Sequence, residues 1–206
     1  NDEIQDFDVH SLSDRFDVDS NVTKSEVAEL IFNGDIIGVV QGKAEFGARA
    51  LGNRSILANP SIRDSVQKIN EAIKNRDFWM PFALSILEEN HKDYIENPKN
   101  LESPFMSISL STRPDKYRDI EAGIHPYDKT VRPQFVSKFH VPAYHELISE
   151  FYKLSGVPAL LNTSFNLHGE PIVNTIADAV RTFELSGLDH LYINETYLVS
   201  KKLSKD

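Results

Sequence analysis

Residues 42–55 read Gly-Lys-Ala-Glu-Phe-Gly-Ala-Arg-Ala-Leu-Gly-Asn-Arg-Ser, three glycines and three cations in fourteen residues. Gly42, Gly47 and Gly52 permit positive φ and close backbone approach, so amide N–H groups are able to face an anion. Lys43, Arg49 and Arg54 add charge-assisted hydrogen bonds, each worth roughly 1.5–3 kcal/mol. Such a loop suits a polyphosphate. The competing arrangement is a surface turn whose arginines pair with carboxylates such as Glu45. No Gly-Lys-Ser/Thr follows a four-residue spacer, which excludes a Walker A loop. From Lys43 to Asp77 there are seven cations against four acids, inside a protein of net charge −9. That contrast marks a focused anion pocket, and the acidic total argues against a nucleic-acid partner, which needs a broad positive field.

Asn162, Thr163, Ser164 and Asn166 follow an apolar run, at the strand carboxyl end where open α/β sheets hold ligands. Their amides and hydroxyls suit an Asx or Ser/Thr turn equally well. The seven histidines are scattered without metal-ligand spacing, so no metal held by side chains is expected. Only His168 falls near the proposed site. The absence of cysteine excludes disulfides, thiolate catalysis and cysteine zinc sites. No local serine, histidine and acid cluster supports a hydrolase triad.

The elements that must position these groups alternate between helix and strand. Thr23 and Glu26 have capping-box spacing, Val27, Leu30 and Ile31 share a face, and Asn33-Gly34 stops a first helix. Residues 36–41 form a β-branched apolar run, a strand buried on both faces that ends where the basic loop begins. A short strand at 55–58, a helix near 64–75, and strands at 81–88 and 105–110 follow, with a loop-rich stretch at 113–129. The last third predicts a helix near 144–154 stopped by Gly156, a strand at 159–162, a helix at 176–185 stopped by Gly187, and strands near Leu191 and Leu198. A chain of 206 residues with 40% hydrophobic content can bury one substantial α/β core. Residues 1–22 form an acidic lead-in or linker expected to pack weakly, and 23–206 the domain. No apolar run of eighteen residues and no basic-then-apolar leader occurs, so a cytoplasmic chain without membrane contact is expected.

Four motifs, in order, resemble those of the C-terminal, YrdC-like domain of NodU/CmcH-type O-carbamoyltransferases. Gly42 to Ala58 is similar to G-R-M-E-F-G-P-R-A-L-G-N-R-S-I-L-A, Lys74 to Glu88 to K-x-R-E-x-F/W-x-P-F-A-P-S-x-L-x-E, Asp128 to Gln134 to D-G-T-x-R-x-Q, and Leu161 to Val173 to L-N-T-S-F-N-x-x-G-E-P-I-V. Lys43, Ala48, Leu84 and Lys129 depart from these patterns. Lys43 loses the planar fork of arginine, and a lysine at 129 would be strained at positive φ, so a different local turn is expected there.

The resemblance implies a twisted, open, mixed sheet with flanking helices and an enzyme that makes carbamoyl adenylate from ATP and carbamoyl phosphate. Transfer to a hydroxyl acceptor would fall to an N-terminal, actin-like ATPase-fold domain. It assigns Lys43, Arg49 and Arg132 to catalysis, and Arg54, Ser55, Lys74, Arg76, Asn162, Thr163, Ser164 and Asn166 to nucleotide and substrate binding. Magnesium would be bound through phosphate oxygens. A non-catalytic nucleotide- or RNA-binding module and a threonylcarbamoyl-adenylate synthase are the alternatives.

Overall fold

A computed structural model describes residues 8–74 and 82–202, apart from the side chains of His10, Ala72 and Lys74. Its first strand is β1 (Phe16–Ser20). Helix α1 (Lys24–Asn33) opens with the expected capping box. The Thr23 hydroxyl accepts from the Glu26 N–H at 3.3 Å, and the Glu26 carboxylate accepts from the Thr23 N–H at 2.7 Å. This exchange satisfies two orphan donors and is worth about 1 kcal/mol. Gly34, at φ +103°, closes the helix by donating to the Ile31 and Leu30 carbonyls. Strand β2 (Ile37–Val40) is buried at all four positions, as a continuous apolar run requires of a central strand.

Then come β3 (Arg54–Ala58), α2 (Asp64–Ile69) with a π-helical turn at Asn70–Lys74, β4 (Ala83–Leu87) and a short α3 (His91–Tyr94). Strands β5 (Ile95–Glu96), β6 (Leu110–Thr112), β7 (Thr130–Val131) and β8 (Pro133–Val136) follow. The chain closes with α4 (Pro142–Ser155), β9 (Ala159–Ser164), α5 (Ile176–Leu185), β10 (His190–Ile193) and β11 (Tyr197–Lys201).

Among the described residues these strands make an eight-stranded mixed sheet, ordered β1-β11-β10-β2-β3-β9-β4-β8, and a three-stranded antiparallel sheet, β5-β6-β7. The β10–β2 and β4–β8 pairs are parallel and the remaining neighbours antiparallel. Two apolar clusters cover the large sheet. One joins α1 (Val27, Ile31) to α4 (Leu147, Ile148, Phe151), and the other collects Ile69, Ile176, Val180 and Phe183 from α2 and α5. This is the α/β class with flanking helices that the alternating elements predict.

Strand register decides what meets at one end of the sheet. Val40 pairs with Arg54, Ser55 with Ser164, Ala83 with Asn162, and Leu84 with Pro133. The β2–β3 loop, the carboxyl end of β9, the start of β4 and Arg132 just before β8 therefore lie at one end of the sheet.

Several local expectations change. Val9, Leu12 and Phe16 are buried in the second cluster and β1 pairs with β11 along its length, so residues 9–20 pack on the sheet rather than weakly. The strand expected at 105–110 begins only at Leu110; upstream, Ser103 is spent on the β8 edge, its carbonyl accepting from the Phe135 N–H at 2.7 Å and its hydroxyl donating to the Pro133 carbonyl at 2.7 Å. Helix α5 ends at an extended Ser186, whose hydroxyl donates to the Phe183 carbonyl, so no left-handed glycine is needed. Lys129 keeps the positive φ (+59°) of a turn glycine, and its ammonium donates to the Pro126 carbonyl at 2.7 Å. Lysine therefore takes the glycine conformation instead of changing the turn.

Candidate anion-binding site at the end of the sheet

The loop between β2 and β3 is built around two groups that point inward. The Glu45 carboxylate accepts from the Leu51, Asn53 and Arg54 amides at 2.6, 2.8 and 3.3 Å. The Gly52 amide donates to the buried Ser55 hydroxyl at 3.0 Å. The amides of residues 51–54 are thus turned toward side chains of the loop itself, and Glu45 fills the nest that glycine spacing alone would leave for a ligand. Gly42, Gly47 and Gly52 do adopt positive φ, at +48°, +137° and +123°. At Gly52 the reason is also close packing, since a Cβ there would lie 2.5 Å from the Tyr144 ring.

Arg54 is fully buried, and all five of its N–H donors are spent. Nη1 donates to the Gln41 and Asn53 carbonyls at 2.7 and 2.9 Å, and Nη2 to Gly42 and Asn174 at 3.2 and 3.1 Å. Nε donates to Asn174 at 3.3 Å. Burial pushes the guanidinium pKa down, and the Glu45 charge opposes that shift. In this arrangement Arg54 ties the loop to the segment before α5 and has no N–H left for a phosphate.

Lys43 and Arg49 are exposed. Arg132 is part-buried, and burial followed by the Arg49 charge lowers its pKa. Two guanidinium groups thus stand within each other's field. Among the described residues, neither they nor Lys43 form an ion pair. Like charges held together without a counter-ion favour an anion between them.

Beneath the loop lies a buried polar cluster. The Asn162 amide donates to the Ala50 carbonyl at 3.2 Å and to the Ser85 hydroxyl at 3.0 Å. Ser85 donates to the Gln134 carboxamide oxygen at 2.7 Å, and the Gln134 amide donates to the Leu51 carbonyl at 3.0 Å. The Tyr144 hydroxyl faces Ser85 and Asn162 but meets hydrogen-bond geometry with neither, and burial pushes its pKa strongly up. The Asn162 carboxamide oxygen is likewise buried without a partner among the described residues. β8 and β9 hold the loop through these side chains.

Of the residues singled out from sequence, Lys43, Arg49 and Arg132 lie at one end of the sheet and, among the described residues, form no ion pair. Ser55 and Asn162 support the loop from below. Thr163 is buried near the end of β9. The Ser164 hydroxyl donates to the Asn166 carboxamide oxygen at 2.7 Å, and the Asn166 amide donates to the Leu167 and Glu170 carbonyls at 3.0 and 2.7 Å. Asn166 therefore shapes its own turn. Lys74 has only its backbone described, and Arg76 lies outside the described residues. Glu170 pairs bidentately with Arg181 of α5 at 2.8 and 2.9 Å. Gln134, Gln41 and Asn174 escaped the sequence reading. Gln134 had a signal, as the last residue of the Asp128–Gln134 motif; a carbonyl acceptor such as that of Asn174 has none.

A family model described as "Carbamoyltransferase C-terminus" matches residues 28–201. The chain is 46% identical over 179 residues to Nodulation protein NolNO of Sinorhizobium fredii, covering 86% of this chain and 26% of that protein. It is 32% identical over 173 residues to the 3'-hydroxymethylcephem-O-carbamoyltransferase of Amycolatopsis lactamdurans, covering 84% and 32%. It therefore spans about a quarter to a third of these relatives' lengths. Among solved structures, a P. abyssi Sua5 variant superposes with a TM-score of 0.55 at 16% identity, over 84% of this chain and 48% of that one. This likeness shows the YrdC-like fold.

Proposed function

Because the chain belongs to the carbamoyltransferase C-terminal family, we propose that it is the part of an O-carbamoyltransferase that makes carbamoyl adenylate from ATP and carbamoyl phosphate. The observation that supports this reading is that Arg49 and Arg132 stand within each other's field and, among the described residues, form no ion pair. Carbamoyl phosphate gives its phosphoryl group to water, releasing phosphate and carbamate. A carbamate oxygen then attacks the α-phosphorus of ATP, and the bond from that phosphorus to the leaving pyrophosphate breaks. Such a displacement depends on in-line positioning and charge neutralisation more than on a strong base.

Arg49 and Arg132 clamp phosphoryl oxygens, and Lys43 adds a mobile point charge. Lys74, Arg76, Thr163 and Ser164 complete the substrate contacts in this proposal. Magnesium, when bound, supplies charge neutralisation across phosphate oxygens. The Glu45 carboxylate is occupied by three amides, so phosphate rather than this carboxylate would hold the ion. Carbamoyl adenylate hydrolyses readily and must pass to its acceptor away from water. We assign that transfer to an N-terminal, actin-like ATPase-fold domain of a longer polypeptide, consistent with the fraction of its relatives that this chain spans.

The test is exchange of labelled pyrophosphate into ATP. The expected result is exchange that requires carbamoyl phosphate, with no carbamoylation of a hydroxyl acceptor by this chain alone. Exchange driven instead by threonine and bicarbonate, or salt-dependent RNA binding without exchange, would replace the reading.

A further inference from the structure

We propose that Phe46 is the platform on which the base of the bound nucleotide stacks, so that the loop reads the nucleobase as well as the phosphates. This rests on the nucleotide-binding reading above. Phe46 is 99% exposed, the most exposed of the large apolar side chains among the described residues, and it belongs to neither apolar cluster. Its neighbour Glu45 turns inward to hold the amides of the loop. Around it the loop is braced by Arg54, by Asn162 through the Ala50 carbonyl, and by Gln134 through the Leu51 carbonyl. The ring is therefore presented outward from a supported loop.

Phe46 is three residues from both Lys43 and Arg49, so its Cα lies within about 11 Å of either along the chain. That separation lets one nucleotide reach the cations with its phosphates and the ring with its base. Stacking on an aromatic ring tolerates any base, and neighbouring cations strengthen it. A nucleotide accounts for both the exposed ring and the cations at once.

Calorimetry on this chain with ATP and with inorganic tripolyphosphate separates base from phosphate. Phe46→Ala is expected to weaken ATP binding about ten-fold and leave tripolyphosphate unchanged. Phe46→Trp should retain ATP binding, while Arg49→Ala should weaken both ligands. If Phe46→Ala leaves ATP affinity intact while Arg49→Ala lowers it, the platform is wrong and the anion site stands. If Phe46→Ala weakens both ligands equally, the ring shapes the loop instead of reading the base, and the proposal also fails. Failure of the unaltered chain to bind either ligand would remove both the platform and the anion site.

Discussion

Arg49, in the loop after β2, lies close enough to Arg132, just before β8, for its charge to reinforce the effect of burial in lowering the Arg132 pKa. Neither guanidinium forms an ion pair among the described residues, so an anion bound between them would relieve their repulsion.

That arrangement predicts opposite effects on stability and binding. Arg49→Ala and Arg132→Ala should each leave the melting temperature unchanged or slightly raised, because a like charge is removed. Each should weaken ATP binding roughly 10- to 100-fold, as expected for one lost charge-assisted contact. Thermal melts with and without ATP measure both effects. Inorganic phosphate should stabilise the unaltered chain more than either variant.

Arg54 should behave differently despite being an arginine of the same loop. Arg54→Ala strips donors from four backbone carbonyls and is expected to destabilise the chain by about 2–4 kcal/mol. Arg54→Lys should recover little of this, because a single ammonium cannot reproduce a planar fork with five donors. Denaturant unfolding, read before any ligand is added, would show the loss. A variant of unaltered stability that had lost only ATP affinity would instead make Arg54 a ligand contact.

The glycines of the loop separate in the same manner. Gly52→Ala combines positive φ with a Cβ 2.5 Å from the Tyr144 ring and should cost about 2–4 kcal/mol. A Cβ at Gly42 or Gly47 meets nothing within 4 Å, so Gly42→Ala and Gly47→Ala should cost only the backbone strain, about 1–2 kcal/mol. Comparing the three unfolding midpoints tests this ranking.

Acid stability should depend on the helix caps. Glu26 is held below its ordinary value by the Thr23 N–H, and Asp178 by the Thr175 N–H, both at helix starts. A carboxylate whose folded pKa is depressed contributes stability that is fully present above its unfolded pKa, roughly 4, and is lost as pH falls through the folded value. Stability should therefore decline below about pH 4, and Asp178→Asn should flatten part of that decline while lowering stability at pH 7. Chemical denaturation across pH 2–7 would show the altered slope.

How legible the site was depended on whether a signal is local. The capping box of α1, the Gly34 stop and the left-handed glycines at 42, 47 and 52 depend on neighbouring residues and backbone sterics, and they appear in the structure as expected. The edge strand β1 was missed because its partner β11 lies at the far end of the chain, and acidic residues on an exposed edge look like those of a linker.

The residue types and order of the four motifs were enough, by themselves, to establish an α/β domain of the carbamoyltransferase C-terminal family with a cationic loop after a buried strand. Sequence could not divide labour among the cations, since Lys43, Arg49 and Arg54 share that loop and their charge. Only the pairing of β2 with β3, and the approach of the Asn174 carbonyl from the segment before α5, buries Arg54 among acceptors. Only the pairing of β4 with both β8 and β9 carries Arg132 to the end of the sheet where Arg49 waits. The physical reason is that a guanidinium's role depends on which acceptors and charges surround it, and in this fold those come from distant segments of the chain.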